Sequence, residues 1–280
     1  MDYPLPVFLA VLGAAALHAT WNAWVRGGSN PLLHTAALVI WTGILAIPVA
    51  IVLPLPDAAS WPLLALSIVI HLVYYITLAR AYTHGALSVV YPIMRGAAPV
   101  LVSVGTWAFI GESLSTVGWI GVLLVSLGVL AIAFKAKLVN ARVTIGWALA
   151  CSATIATYSI VDGQGARLSQ NPLSFTAWLF ILESIAFTVL LTLAGQGRAL
   201  AQYIRARPVA TATGGLLSAV GYATVLWAMT QAPMALVSAT RETSVLFAAL
   251  LGVWLLKERL TVRQWAGASV IVIGLVVLRL

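Results

Sequence analysis

Ten stretches of this chain are each long and apolar enough to form a membrane-spanning helix, and no water-soluble fold accommodates that pattern. A transmembrane helix takes about 20 mostly apolar residues. The stretches run over residues 4 to 25, 31 to 53, 60 to 82, 86 to 110, 115 to 134, 144 to 165, 172 to 194, 208 to 230, 235 to 256 and 262 to 279, and little chain is left between them. Composition agrees, with 62% of residues hydrophobic and 8% charged, against roughly 25% charged in an ordinary soluble domain. Lipid offers the backbone no hydrogen-bond partners, so apolar stretches of this length close their bonds internally as helices. The expectation is an all-α integral membrane protein.

The net charge of +8 is explained by topology rather than by nucleic acid, because no basic run with interleaved aromatics lies outside the apolar stretches. Arg26, Arg80, Lys135, Lys137, Arg142, Arg198, Arg205, Arg207, Lys257, Arg259 and Arg263 lie in or beside the odd-numbered connections, whereas the even ones hold little beyond Arg167. Under the positive-inside rule the odd connections face the cytoplasm and both termini face outward. Asp2 and Tyr3 replace the basic start of a signal peptide, so the first stretch reads as a permanent helix. The lone Cys151 has no partner for an intramolecular disulfide and no metal-ligand spacing around it.

The chain also repeats itself. A shift of 146 residues lays Arg95 on Arg241, Glu112 on Glu258, Leu114 on Leu260, Trp119 on Trp265, Gly121 on Gly267 and Gly128 on Gly274. Apolar composition alone does not match Arg, Glu and Trp. A second echo opens the second and seventh stretches, as Asn30-Pro31-Leu32 and Asn171-Pro172-Leu173. Each repeat is therefore five helices long, residues 1–140 and 141–280. Five is odd, so the copies enter the membrane from opposite sides and the halves are inverted. The loop charges agree, because Glu112 has no basic neighbours while Glu258 is flanked by Lys257, Arg259 and Arg263.

Polar side chains within the stretches mark candidate function, since each needs a partner or a watery cavity. His18 and Asn22 are four apart in the first helix and share a face with Trp21; gluing that helix to a neighbour is an equally good reading. In the third helix His71, Tyr75 and Tyr82 form a stripe about 16 Å long, accompanied by Tyr74 and Leu78. An interfacial aromatic belt accounts for Tyr82 as well as function does, but not for the mid-span His71, Tyr74 and Tyr75. The fourth helix carries Tyr91 and Arg95 among Pro92, Gly96 and Pro99, a pattern for a kinked or partly unwound helix. Interrupted helices are where transporters bind, which makes those three a candidate hinge. A structural alternative for Arg95 is a permanent ion pair with Asp162 or Glu242.

The sixth helix ends in Tyr158, Asp162, Gly163 and Gly165, with the glycines expected to stop the helix. The ninth carries Ser238, Arg241, Glu242 and Ser244. Arg241 and Glu242 diverge by about 100° on a continuous helix and are expected to serve different neighbours. Glu183 in the seventh helix and Tyr222 in the eighth are further polar groups. Gly121, Gly128, Gly267 and Gly274 are expected to pack helices closely.

Ten helices in two halves, Leu17-His18-Ala19-Thr20-Trp21-Asn22, Val90-Tyr91-Pro92-Ile93-Met94-Arg95-Gly96 and the two Glu-x-Leu turns together resemble the EamA-type ten-helix permeases of the drug/metabolite transporter superfamily. The resemblance covers the whole chain. It implies an inverted-repeat basket around a central cavity, a place in the cell inner membrane, and the function of a metabolite exporter similar to the YddG-type amino-acid exporters. Glu112 and Glu258 match the family's turn motif and are read as structural. The residues agree with an amino-acid substrate: Arg95 or Arg241 for its carboxylate, Asp162, Glu242 or Asn22 for its ammonium group, and Trp21, Tyr74, Tyr75 and Tyr82 for its side chain. A multidrug or organic-cation exporter is the alternative and would not need the arginines. No cofactor or metal is expected. An enzyme is disfavoured by the lack of His-Glu-x-x-His and Gly-x-Ser-x-Gly, with the four histidines scattered. A scaffold would not need mid-span Arg, His and Tyr.

Overall fold

The computed structural model describes residues 3–25, 30–85, 87–133, 141–257 and 260–280. Arg26, Lys135, Lys137, Glu258 and Arg259 lie outside the described residues. The helices are α1 (Leu5–Val25), α2 (Pro31–Val52), α3 (Trp61–His84), α4 (Leu87–Gly105), α5 (Thr116–Ala133), α6 (Ala141–Leu168), α7 (Pro172–Leu193), α8 (Gly197–Ala206), α9 (Pro208–Gln231), α10 (Met234–Arg241), α11 (Ser244–Leu256) and α12 (Val262–Arg279). Among the described residues, eight helical segments are long and apolar enough to cross a membrane, and Leu5–Thr20 and Thr116–Ile132 are shorter apolar ones. Among the described residues there is no strand.

The repeated Asn-Pro pairs do the same local work. Asn30 caps α2, its side chain accepting from the Leu32 and Leu33 N–H groups, and Asn171 caps α7 by accepting from that of Ser174. Proline fits the first turn because its missing donor has no intrahelical acceptor there.

Three local expectations change. Helix α4 runs through Pro92 and Pro99 as one α-helix and widens into a π-helical turn only at Thr106–Ile110; the expected unwinding is found instead between α10 and α11. Gly163 and Gly165 do not stop α6, which continues to Leu168. A side chain at Gly163 would collide with Met229 and Met234, and one at Gly165 with the Phe175 ring, so these glycines admit neighbours rather than end the helix. The connection after α7 holds an unexpected helix, α8, whose Leu200 is buried while Arg198 and Arg205 are exposed.

Packing joins α5 to α12, α2 to α7, α3 to α6, α1 to α9 and α4 to both α5 and α6. The α5–α12 seam is made by glycine. A Cβ placed on Gly128 would stand 2.8 Å from the Gly267 carbonyl oxygen, and one on Gly267 would stand 2.9 Å from that of Gly128. At one end of the bundle Glu112 ties several elements together. Its Oε1 accepts from the Met234 N–H at 2.6 Å and its Oε2 from Arg167 Nη1 at 2.8 Å. Arg167 also donates to the Met229 and Ala232 carbonyls that close α9. The turn glutamate thus binds the positive end of α10 while its arginine serves the negative end of α9, each charge matched to the helix dipole it meets.

The glycine seam generates a test. Gly128→Leu pushes a side chain into the α12 backbone and is expected to destabilise the fold by about 1–3 kcal/mol or more. Thermal unfolding in detergent reads this as a lowered midpoint, with Gly146→Leu, at a glycine that has open space beside it, leaving the midpoint in place.

Candidate functional site

The break between α10 and α11 organises the polar interior. At Glu242 and Thr243 the backbone turns through i to i−3 bonds, Glu242 N to Ala239 O and Thr243 N to Thr240 O, before α11 resumes at Ser244. Glu242 is fully buried, and its Oε2 stands 2.6 Å from Arg95 Nε on α4. Arg241 Nη2 reaches 3.5 Å from Glu242 Oε1, so a long flexible side chain overcomes the divergence expected of neighbours. Arg95 Nη2 also donates to Ser244 Oγ at 3.4 Å, and its guanidinium carbon lies 5.9 Å from the Tyr91 ring centre. Of the two ion-pair partners weighed for Arg95, the structure selects Glu242.

Two guanidinium groups therefore face one carboxylate, which leaves a surplus of positive charge. On α10 itself, Ser238 Oγ and Arg241 Nε are buried without hydrogen-bond partners, as is Ser159 Oγ next to Tyr158 on α6. Buried polar atoms are nearly always bonded, so the unpartnered Arg241 Nε is a donor available to something polar. His18, on α1, lies within electrostatic reach of both Arg95 and Arg241.

A second polar group sits where α3, α6, α7 and α9 meet. His71 Nδ1 lies 3.0 Å from the Ser67 carbonyl and 3.1 Å from Ser67 Oγ, and its Nε2 is 3.9 Å from Asp162 Oδ2. The Tyr222 hydroxyl donates to the same Asp162 oxygen at 2.5 Å, and the Tyr75 hydroxyl donates to Glu183 Oε1 at 2.5 Å. The His71 ring stacks on Tyr158 with centres 4.3 Å apart, Tyr74 meets Tyr158 edge-on, and Tyr75 stacks on Phe187. Tyr158 is the link, close enough to feel the charges of Arg95, Arg241, Glu242 and Asp162.

Among the sequence candidates, His18, His71, Tyr74, Tyr75, Tyr91, Arg95, Tyr158, Asp162, Arg241, Glu242 and Ser244 fall in or beside these two groups. Ser238 is buried nearby on α10. Leu78 and Tyr82 pack in an apolar cluster with Val89, Met94 and Cys151 that also holds Tyr74, Tyr91 and Tyr158. Gly96 lies at the α4–α5 crossing, where a Cβ would stand 2.8 Å from Leu130 Cγ. The side chains of Trp21 and Asn22 lie outside the described residues. Glu183 and Tyr222 were named from the sequence as further polar groups without a place in the substrate site, and Ser67 and Ser159 were not singled out, although Ser67 stands one helical turn before His71. Two clefts of about 490 and 430 Å³ flank Arg167 at the Glu112 end of the bundle, away from Arg95.

A bundle of long apolar helices enclosing buried ionic and aromatic groups defines a multi-pass membrane protein with a polar interior. Residues 142–280 match the model of the EamA-like transporter family, and through this second half the chain belongs to that family of the drug/metabolite transporter superfamily. It is therefore placed among small-molecule transporters rather than enzymes. The fold is similar to that of a solved structure described only as the crystal structure of a protein, with a TM-score of 0.73 and 17% identity over 97% of this chain and 94% of the other. No curated protein matches the sequence.

The ion pair predicts an asymmetric mutational response. Glu242→Gln strands two buried guanidinium groups, and breaking a buried pair in this way costs about 3–5 kcal/mol. A conservative change at the exposed Arg198 is expected to cost far less. Detergent unfolding of the two variants compares them directly.

Proposed function

We propose that this protein is a secondary transporter that exports amino acids, aromatic and hydrophobic ones included, across the cell inner membrane by alternating access. The observation that carries the reading is the surplus guanidinium charge on Arg95 and Arg241 around the single carboxylate of Glu242. A substrate carboxylate neutralises that surplus, and arginine suits it because its planar fork can donate two parallel hydrogen bonds. Ser238 supplies a hydroxyl on the same helix as Arg241, and Tyr74, Tyr91 and Tyr158 supply an aromatic wall for the substrate side chain.

In this proposal residues 1–140 and 141–280 are inverted five-helix repeats, with α10 and α11 together forming the ninth of ten spans and both termini outside the cytoplasm. The helix contacts support the repeat reading. Exchanging each span with the one five places on turns the α3–α6 contact into the α1–α9 contact, and the α4–α6 contact into the contacts of α1 with α10 and α11. The α2–α7 and α5–α12 contacts map onto themselves. Rocking of one repeat against the other about a site between them follows from that symmetry, with Pro92, Gly96 and Pro99 as the bending segment of α4.

A multidrug or organic-cation exporter is the second reading. It is favoured by Asp162, which has no arginine or lysine partner among the described residues and is flanked by Tyr222 and by His71 stacked on Tyr158.

Flux in proteoliposomes tests the proposal with labelled aromatic, branched and small polar amino acids. Saturable uptake or exchange is expected in the wild type, with a loss of at least about tenfold, or roughly 1.4 kcal/mol of binding, in an Arg241→Gln variant that remains folded. Transport of an organic cation with no amino-acid flux would sink the amino-acid reading and support the second.

A further inference from the structure

We propose that Asp162, His71 and Glu183 form a proton-binding site, separate from the Arg95–Glu242 ion pair, that holds one exchangeable proton among its three side chains. The argument is one of charge. Among the described residues, each of the other two buried carboxylates has an arginine: Glu242 has Arg95 and Arg241, and Glu112 has Arg167. Asp162 is fully buried and has His71 as its ionic partner, while Glu183, 5% exposed, has the neutral Tyr75 hydroxyl as its hydrogen-bond partner.

With both carboxylates ionised and the imidazole neutral, this group carries two negative charges. Protonating the imidazole still leaves one. Buried uncompensated charge is strongly disfavoured, and a second proton, shared among the three groups, removes it. The hydrogen-bond geometry has room for that proton, because Asp162 Oδ1 is buried without a partner.

The surrounding titratable and charged groups do not supply the missing positive charge locally. From α3 they are Tyr74 and Tyr75, from α6 Tyr158 and Cys151, and from α9 Tyr222. The single titratable group of α2, His34, is bonded to Tyr203 of α8. From α4 and α10 come Arg95 and Arg241, both held at Glu242, with Tyr91 beside Arg95. Tyr158 stands between these arginines and Asp162. A proton bound and released here would couple flux to a pH gradient. That consequence rests on the transporter reading; the proton site itself does not.

Infrared difference spectroscopy of the full-length protein in lipid nanodiscs, between about pH 5 and 8, tests the site without any substrate. The wild type is expected to show a protonated-carboxyl C=O band that grows as pH falls and shifts down in D2O. Asp162→Asn and Glu183→Gln are each expected to remove or displace the band. Should either fail to fold, Tyr222→Phe and Tyr75→Phe take its place, since losing a phenol donor moves the stretch of the carboxyl it served to higher frequency. A wild-type spectrum without the band, or a band unchanged in every folded variant, overturns the proposal. Missing amino-acid flux with the band present would defeat the proposed substrate and leave the proton site standing.

Discussion

Burying charge is what the rest of this structure is arranged around. A guanidinium among apolar helices is tolerated only with a partner, and Arg95 has its partner 2.6 Å away on a different part of the chain. That one contact joins α4 to the turn between α10 and α11. The turn is there because the chain switches to i to i−3 bonding at Glu242 and Thr243, in a segment whose residues from Met234 to Val245 are all buried. A break in regular helix is acceptable at this place because protein, not lipid, surrounds it.

The interior then divides by sign. Positive charge is in surplus where α4 meets α10, and negative charge where α3, α6 and α7 meet. Tyr158 lies between, stacked on His71 on one side and within reach of both arginines on the other. An aromatic hydroxyl suits that position because it fills space between charged groups without adding a charge of its own. Under the proposed mechanism, Tyr158 is the physical link between substrate binding and proton binding.

The apolar packing leaves different freedoms at different places. The α5–α12 seam brings backbones together through Gly128 and Gly267, a contact that tolerates little change in spacing. The Glu112–Arg167 pair is more open, with Arg167 partly exposed and flanked by clefts. Glu112 itself is buried, so this end is held by charge and hydrogen bonds where the seam is held by backbone contact.

The class of fold was written in local chemistry. Apolar stretches of about 20 residues need only a count, the Asn-Pro caps need only adjacent residues, and α4 and α12 were legible as helices for the same reason. Local rules failed where a distant neighbour decides. Gly163 and Gly165 resemble helix stops until Met229, Met234 and Phe175 are seen to occupy the space they leave. Pro92 and Pro99 suggested the unwound segment, yet it lies at Glu242, where the residue types give no warning. Helix α8 was missed because its ten residues are too few and too polar for a span. Arg95, His71, Tyr75 and Asp162 stood out as costly polar residues from the sequence alone, since desolvation depends only on residue type and apolar surroundings. Which carboxylate each cation met was decided by tertiary structure: Arg95 and Glu242 are 147 positions apart, and Tyr75 and Glu183 are 108 apart, and nothing in either local sequence specifies the distance across the bundle.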